Sequence, residues 1–258
     1  MPTPKNLSVQ KAFTLLRSFR GPEEWLTNAE LSRRSGLSEP SSHRLMKTLE
    51  EVGAVVRNRR GWYRPGMVLA TLSKDVAIGD LIRATSEDVL RRLASDLGGV
   101  VHIGALKNNM VTYTAKFGES KKVSIPSCVG MQQEAYCSAL GKVLLAGLSH
   151  HELEDFLHDG NFVSLTPQTI TTIGSLRAEI VEVRERGFSV DNKEVFQTIC
   201  CVGAPIHDPD GNTVAAISFA DTAMNLCSTW QQEVHGRLMS AKEKVSRKIF
   251  PLFEMAAH

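Results

Sequence analysis

The chain has 258 residues, 42% of them hydrophobic and 22% charged, with a formal net charge of +2. These values describe a soluble globular protein with core enough for one large domain or two ordinary ones, and no apolar run approaches the ~20 residues of a membrane span. The charge is divided unevenly: residues 1–74 hold 13 Lys/Arg against 6 Asp/Glu, and residues 75–258 hold 17 against 22. Only the N-terminal part has the electrostatics to meet a phosphate backbone, and the split argues for two domains, 1–74 and 75–258, with separate tasks. The start, Met1-Pro2-Thr3-Pro4-Lys5, has no apolar signal region, so the expected compartment is the cytoplasm. Five cysteines (Cys128, Cys137, Cys200, Cys201, Cys227) are odd in number and form no C-x-x-C pair, which favours reduced thiols over a disulfide frame or a zinc site.

The first predicted helix runs from Ser8, a good cap, to Arg20, with Val9, Ala12, Phe13, Leu16 and Phe19 on one face; Gly21-Pro22 breaks it. The second spans Thr27 to Ser35. Thr27 and Glu30 have capping-box spacing, Leu26 and Leu31 are inward candidates, and Gly36 suits a left-handed helix end. The third runs from about Ser38 to Val52. Ser41, Leu45, Thr48, Leu49 and Val52 form its expected inward face, while Glu39, Pro40, His43 and Lys47 lie opposite, flanked by Ser42 and Arg44. Val55-Val56, a basic turn (Arg57-Asn58-Arg59-Arg60-Gly61) and Trp62-Tyr63-Arg64 then form a hairpin. Helix, tight turn, helix and hairpin together read as a winged helix-turn-helix, a motif that places its second helix in the major groove of double-stranded DNA. Ser41, Ser42, His43, Arg44 and Lys47 are therefore candidate groove-reading residues. Arg57, Arg59, Arg60 and Arg64 are candidate phosphate or minor-groove contacts, and Trp62 and Tyr63 read as hairpin packing.

Pro65-Gly66 closes the wing. Short (Met67–Leu72) and long (Asp80–Leu97) helices follow, the long one carrying a stripe of Leu81, Ile82, Thr85, Val89, Leu90, Leu93 and Leu97; its first half is a candidate linker and dimer contact. From Gly98 the period changes to that of strands: Val100–Leu106, a turn at Lys107-Asn108-Asn109, and Met110–Lys116. Helices are predicted at Ser138–Leu148, His150–Leu157, Ser175–Arg186 (ending at Gly187) and Trp230–Phe250. Strands are predicted at Phe188–Val190, Ile199–Ile206 and Thr213–Ala220, the last two joined by the turn Asp208-Pro209-Asp210-Gly211. The fold class is α+β, with helices around an antiparallel sheet.

Catalytic motifs are not found. Gly141-Lys142 fails as a phosphate loop, because Tyr136 stands where the first glycine belongs and Val143 replaces the Ser/Thr; no G-x-S-x-G elbow exists. His150-His151 reads as an exposed helix cap rather than a metal site, Cys200-Cys201 as small hydrophobes in a strand, and Asp191 as a turn residue.

The assembled pattern resembles the IclR family of bacterial transcription regulators over nearly the full length. In the DNA-binding part the likeness rests on Ser8-Val9-Gln10-Lys11-Ala12, on Gly36-Leu37-Ser38-Glu39-Pro40-Ser41-Ser42-His43-Arg44-Leu45, and on Tyr63-Arg64-Pro65-Gly66. Further along it rests on the run from Tyr136 to Ala146, on Arg186-Gly187-Phe188 with Asp191 and Glu194, on Cys201-Val202-Gly203-Ala204-Pro205, and on Asp210-Gly211.

The resemblance implies a winged helix-turn-helix domain joined by a linker helix to a GAF-like effector domain. It also implies a homodimer or dimer of dimers on a partly palindromic operator, and a pocket for a small organic acid or aromatic effector at Ser138, Ala139, Asp191, Cys201 and Ser218. Family members often carry His in place of Tyr136 and Gly in place of Thr198, so the effector of a relative does not transfer. The resulting expectation is a ligand-responsive regulator of a metabolic, catabolic operon, without catalytic residue, cofactor or metal. Its alternatives are a small-molecule enzyme with an accessory DNA-binding module, or a metal or redox sensor using Cys200 and Cys201. Adjacent strand residues point to opposite faces, which counts against the sensor.

Overall fold

The computed structural model describes residues 4–21, 23–74, 76–222 and 228–250; Met1–Thr3, Pro22 and Cys227, read above from sequence, lie outside these. The chain divides into two compact units, Met1–Ala77 and Ile78–His258.

In the first unit, helices α1 (Leu7–Leu16), α2 (Asn28–Ser35) and α3 (Glu39–Glu51) pack around Leu15, Leu31, Met46 and Leu49. The hairpin β1 (Val55–Arg57) and β2 (Tyr63–Pro65) closes this core with Val55 and Tyr63, and α4 (Met67–Ser73) follows. The Leu26 backbone pairs with Tyr63 through bonds of 2.9 and 2.8 Å, so the segment before α2 extends the wing. Gly36 ends α2 at φ 68°, a left-handed conformation in which a Cβ would be strained. Tyr63 is buried as hairpin packing, as read from the sequence.

Three local expectations change. First, α1 starts at Leu7, capped by Asn6 rather than Ser8, and buries Leu15; Val9 and Phe13 are exposed because the buried stripe lies on the Ala12, Leu15, Leu16, Phe19 side. Second, the inward face of α3 is Ser42, Met46 and Leu49, while Thr48 and Val52 face solvent. The true stripe at i, i+4, i+7 is offset by about one residue, or roughly 100°, from the face read in the sequence. Third, Thr27 accepts from Glu30 N at 3.2 Å, but the Glu30 carboxylate turns to Arg33 and Arg34 (2.6 and 2.7 Å), whose hydrogen bonds hold it down at about 2. The reciprocal capping box forms at Ser149 and Glu152 instead.

The second unit is an α/β/α sandwich. Its elements are α5 (Ile78–Leu97), β3 (Val100–Lys107), β4 (Met110–Phe117), β5 (Gln132–Glu134), α6 (Ala139–Ala146), α7 (His150–Asp159), α8 (Ile173–Arg186), β6 (Ser189–Asn192), β7 (Ile199–His207), β8 (Thr213–Thr222) and α9 (Ser228–Ile249). The strands form one antiparallel sheet in the order β5-β4-β3-β8-β7-β6. One face carries Val101, Ile103, Val202, Ala204, Ile206, Ile217 and Phe219 against α5 and α9. The other carries Val111 and Ala216 against α6, α7 and α8. The first half of α5 belongs to this core: Ile82 is fully buried, and Gly79 lies against Thr114 where no Cβ would fit.

Between Ile103 and Gly104 the register with β4 shifts by one residue, so Ile103 pairs with Ala115 and Gly104 with Tyr113. The bulge leaves Thr114 as the extra residue and reverses the alternation of β4. Ala115 and Phe117 therefore join the α5 side, and Val111 joins the α6 side.

Helix α6 rests directly on the sheet at Gly203, where a Cβ would come within 2.6 Å of the Ala139 carbonyl oxygen. Ser189 Oγ donates to that same oxygen at 2.5 Å. Gly203→Ala is expected to destabilise the protein by about 1–3 kcal/mol, the range for overpacking a core. Urea unfolding checks this, and an unchanged midpoint would contradict the contact.

Candidate functional site

In the first unit, His43, Arg44 and Lys47 are exposed on α3, and Ser41 is half-buried with its hydroxyl 3.0 Å from Ser38 Oγ. Ser42 does not join them. It is fully buried, and its hydroxyl donates to Asn28 Oδ1 at 2.9 Å, so its expected contact with a base is withdrawn. In the wing, Arg57, Arg59 and Arg60 are exposed and Arg64 is half-buried. The Arg57 guanidinium lies over the Tyr63 ring at 5.6 Å and that of Arg64 over Trp25 at 5.2 Å, contacts that hold both charged groups beside the hairpin. Asn58 Oδ1 accepts from the backbone of Arg60 and Trp62, both at 3.0 Å, and shapes the turn that presents Arg59 and Arg60.

In the second unit, all five residues singled out for an effector line one cavity of about 30 Å³: Ser138 and Ala139 at the start of α6, Asp191 on β6, Cys201 on β7 and Ser218 on β8. Register explains the convergence. Asp191 pairs with Cys201, and Ser218 pairs with Gly203 on one side and His102 on the other, all on the face that meets α6. Ser138 caps α6 by accepting from Gly141 N at 3.1 Å. The two cysteines part as strand alternation requires: Cys201 lines the cavity, while Cys200 Sγ lies 3.3 Å from the Thr222 carbonyl. Tyr136 and Thr198, the two departures from the family pattern, do not line it.

The sequence reading missed His102, Tyr113, Gln133 and the strap 125–127, which also line the cavity, together with the apolar Leu140, Val195, Phe196, Ile199 and Ala220. His102 Nε2 and Ser127 Oγ are 2.7 Å apart, and Lys116 Nζ donates to the carbonyls of Ile125 (3.3 Å) and Ser127 (2.7 Å), so two strands pin the strap. The alternating pattern of β3 placed His102 on a face, but nothing local told which face held a cavity.

Among the described residues no Arg or Lys lines the cavity. His102 is neutral, pushed down to about 3 by burial and by the Lys116 charge. Burial and the neighbouring Asp191 push the Cys201 thiol well above its ordinary value. Asp191 accepts from the backbone N–H of Glu194 (2.7 Å) and Val195 (3.4 Å), yet burial raises its carboxyl to about 7. The site thus offers hydroxyls, a neutral imidazole, the first amides of α6 and a carboxyl near half-protonation at neutral pH, which suits binding oxygen-rich groups. Beneath it, Lys142, set aside above as a failed phosphate loop, is buried with Nζ 2.6 Å from Glu194 and 3.2 Å from Glu179, and Arg186 grips Glu179 at 2.8 Å. This network anchors the turn that follows β6, at Glu194, to α6 and α8.

A winged helix-turn-helix unit and an α+β unit with a cavity of mixed polar and apolar lining define a DNA-binding regulator. Comparison with known proteins agrees. The model of the bacterial transcriptional regulator IclR C-terminal domain matches residues 77–247, and that of the IclR helix-turn-helix domain matches residues 8–59. The chain belongs to the IclR family of bacterial transcriptional regulators. It is 30% identical over 215 residues to the HTH-type transcriptional regulator XynR of Escherichia coli K12, covering 83% of this chain and 85% of that one. The crystal structure of Thermotoga maritima IclR superposes with a TM-score of 0.63 at 29% identity, covering 94% of this chain and 98% of that one. An IclR homologue from Microbacterium hydrocarbonoxydans, complexed with 4-hydroxybenzoate, shares the fold at a TM-score of 0.62 and 19% identity, covering 94% and 98%.

The Asp191 carboxyl gives a stability test. Its folded value lies above its ordinary 3.8, so the folded state holds a proton that the unfolded state releases. The associated stability is complete below about pH 3.8 and is lost as pH rises through about 7. Asp191→Asn lacks this dependence and keeps the accepting oxygen, so its stability relative to wild type should rise from pH 4.5 to pH 7. Urea unfolding at both values measures it; a constant difference would contradict the raised value.

Proposed function

We propose that the protein is a cytoplasmic, non-catalytic regulator of a catabolic operon, acting as a homodimer or dimer of dimers on operator DNA. The exposed side chains of α3 (His43, Arg44 and Lys47) and the half-buried Ser41 read the major groove, and Arg57, Arg59, Arg60 and Arg64 hold the backbone. The observation that carries the effector half is the convergence of Ser138, Ala139, Asp191, Cys201 and Ser218, from four elements, on one buried cavity.

A small organic acid or hydroxylated aromatic suits that chemistry. Its oxygens would meet the α6 amides and the Ser218 hydroxyl, with protonated Asp191 as a donor. The 4-hydroxybenzoate bound by the Microbacterium relative is of this class. A cavity of about 30 Å³ has room for only about one or two waters, so its lining must move apart to admit an effector. Two features favour binding over turnover: the Cys201 thiol is held protonated, and His102 is engaged with Ser127. No helix among the described residues is long and apolar enough to cross a membrane.

A mobility-shift assay on the DNA upstream of the protein's own gene, at fixed salt, tests the DNA half. Arg44→Ala should weaken binding by about 1–3 kcal/mol, with a loss that varies with operator sequence, as expected of a base contact. An equal loss on every duplex would make Arg44 a phosphate contact, and no sequence preference by wild type would overturn the proposal.

A further inference from the structure

Ser42 lies within the helix that meets DNA, yet it is turned fully inward, where an alanine or a larger apolar residue is the ordinary occupant. Its hydroxyl has one partner across the motif, Asn28 Oδ1 at 2.9 Å. The other end of the same amide, Asn28 Nδ2, donates to the Glu39 carbonyl at 3.2 Å. One side chain on the first residue of α2 thus holds α3 at two points, its first residue and a position nearly one turn later. Both bonded atoms lie off the helix axis, so while packing holds that axis in place the two bonds resist rotation of α3 about it. Among the described residues, two further polar links across the turn hold its linking residues: Ser32 Oγ donates to the Leu37 carbonyl, and Leu37 N donates to Ser35 Oγ.

The rotation matters because each residue advances a helix by about 100°. With Ser42 inward, Pro40, Arg44 and Lys47 lie on the far side, and Ser41 and His43 flank them. A slip of one residue would turn Ser42 out to the flank and carry either Arg44 or Lys47 toward the core. Met46 and Leu49 are the buried apolar anchors of α3 and Leu45 is half-buried; their packing is non-directional, and the Asn28 bonds add a directional constraint to it.

We propose that Asn28 and Ser42 are positioning residues for DNA recognition: together they set the azimuth at which α3 presents Arg44 and its neighbours, without touching DNA themselves. This rests on α3 being the reading helix. The pair acts as a unit, so breaking it at either end loosens the same constraint, and the effect falls on discrimination between sequences more than on affinity for DNA as such. Phosphate contacts tolerate a small rotation; bidentate contacts to base edges do not.

The test is a double-mutant cycle on the full chain with Asn28→Ala, Ser42→Ala and the double variant. The specific probe is a duplex enriched from a random library by the wild-type protein, the reference a scrambled duplex of equal length, both at one salt concentration. Binding is measured at a temperature where circular dichroism shows every variant folded. Asn28→Ala should lower the ratio of specific to reference affinity about tenfold, consistent with the loss of two hydrogen bonds, and Ser42→Ala should lower it by a smaller factor. The double variant should match Asn28→Ala alone. Ratios within about twofold of wild type, with only a lower melting temperature, would make the pair merely structural and overturn the proposal; so would effects that multiply independently. A wild-type protein that enriches no sequence would overturn the DNA-reading role itself, and the positioning role with it.

Discussion

Ser218 on β8 pairs with His102 on β3 and with Gly203 on β7, and this row across the sheet sets what the second unit can do. Strand side chains alternate between faces, so each strand has to serve a core and a cavity with alternate residues. Val101, Ile103, Val202, Ile217 and Phe219 go to α5 and α9, and His102, Cys201, Gly203 and Ser218 go to α6. A slip of one residue in any of these strands would bury polar groups against α9 and present apolar ones to the cavity. The bulge at Thr114 extends the same logic to β4. It turns Tyr113 toward the cavity while Ala115 and Phe117 stay in the apolar layer.

Helix α6 is the element that converts this pattern into a site. It approaches closely because Gly203 and Gly141 present no side chain where it meets the sheet and Ala135. Its first residues line the cavity, and one turn later Lys142 holds the turn that follows β6 through Glu194. A buried ion pair of this kind is weak evidence for stability, because desolvation offsets much of the attraction. Its evident consequence is geometric: Glu194 N is also the donor that fixes the Asp191 carboxylate. The first unit uses a comparable device on a smaller scale, with the Asn28 amide spanning two helices.

Apart from the three-residue edge strand β5, which carries no periodic signal and was missed, element type and order were legible in the sequence because the periods are clean and the breakers, Gly36 and Gly187 above all, stand where left-handed residues end helices. The proposed effector positions Ser138, Ala139, Asp191, Cys201 and Ser218 came from family likeness, and in the structure they line one cavity. What sequence did not reveal depends on three-dimensional neighbours. The face of α3 was misread because Thr48 and Val52 fit the period as well as Met46 does, and only contact with α1 and α2 decides between them. Ser42 looked like a reader because short hydroxyls near a helix start often are; its partner lies 14 residues earlier. The strap at 125–127 has no periodic signal, and Lys142 matched a failed motif more readily than an ion pair with a residue 52 positions away.

The most direct measurement joins the two units. A compound from a thermal-shift screen of small acids and aromatics is accepted as an effector if it raises the melting temperature of wild type but not of Ser218→Val. Operator affinity is then titrated with and without it, for both proteins. A regulator of this design should change its operator affinity by about 5- to 150-fold in wild type, with the reciprocal change in ligand affinity when operator is bound, and should show neither in the variant. A compound that saturates the cavity and leaves operator affinity unchanged would contradict the assignment of that cavity to control of DNA binding.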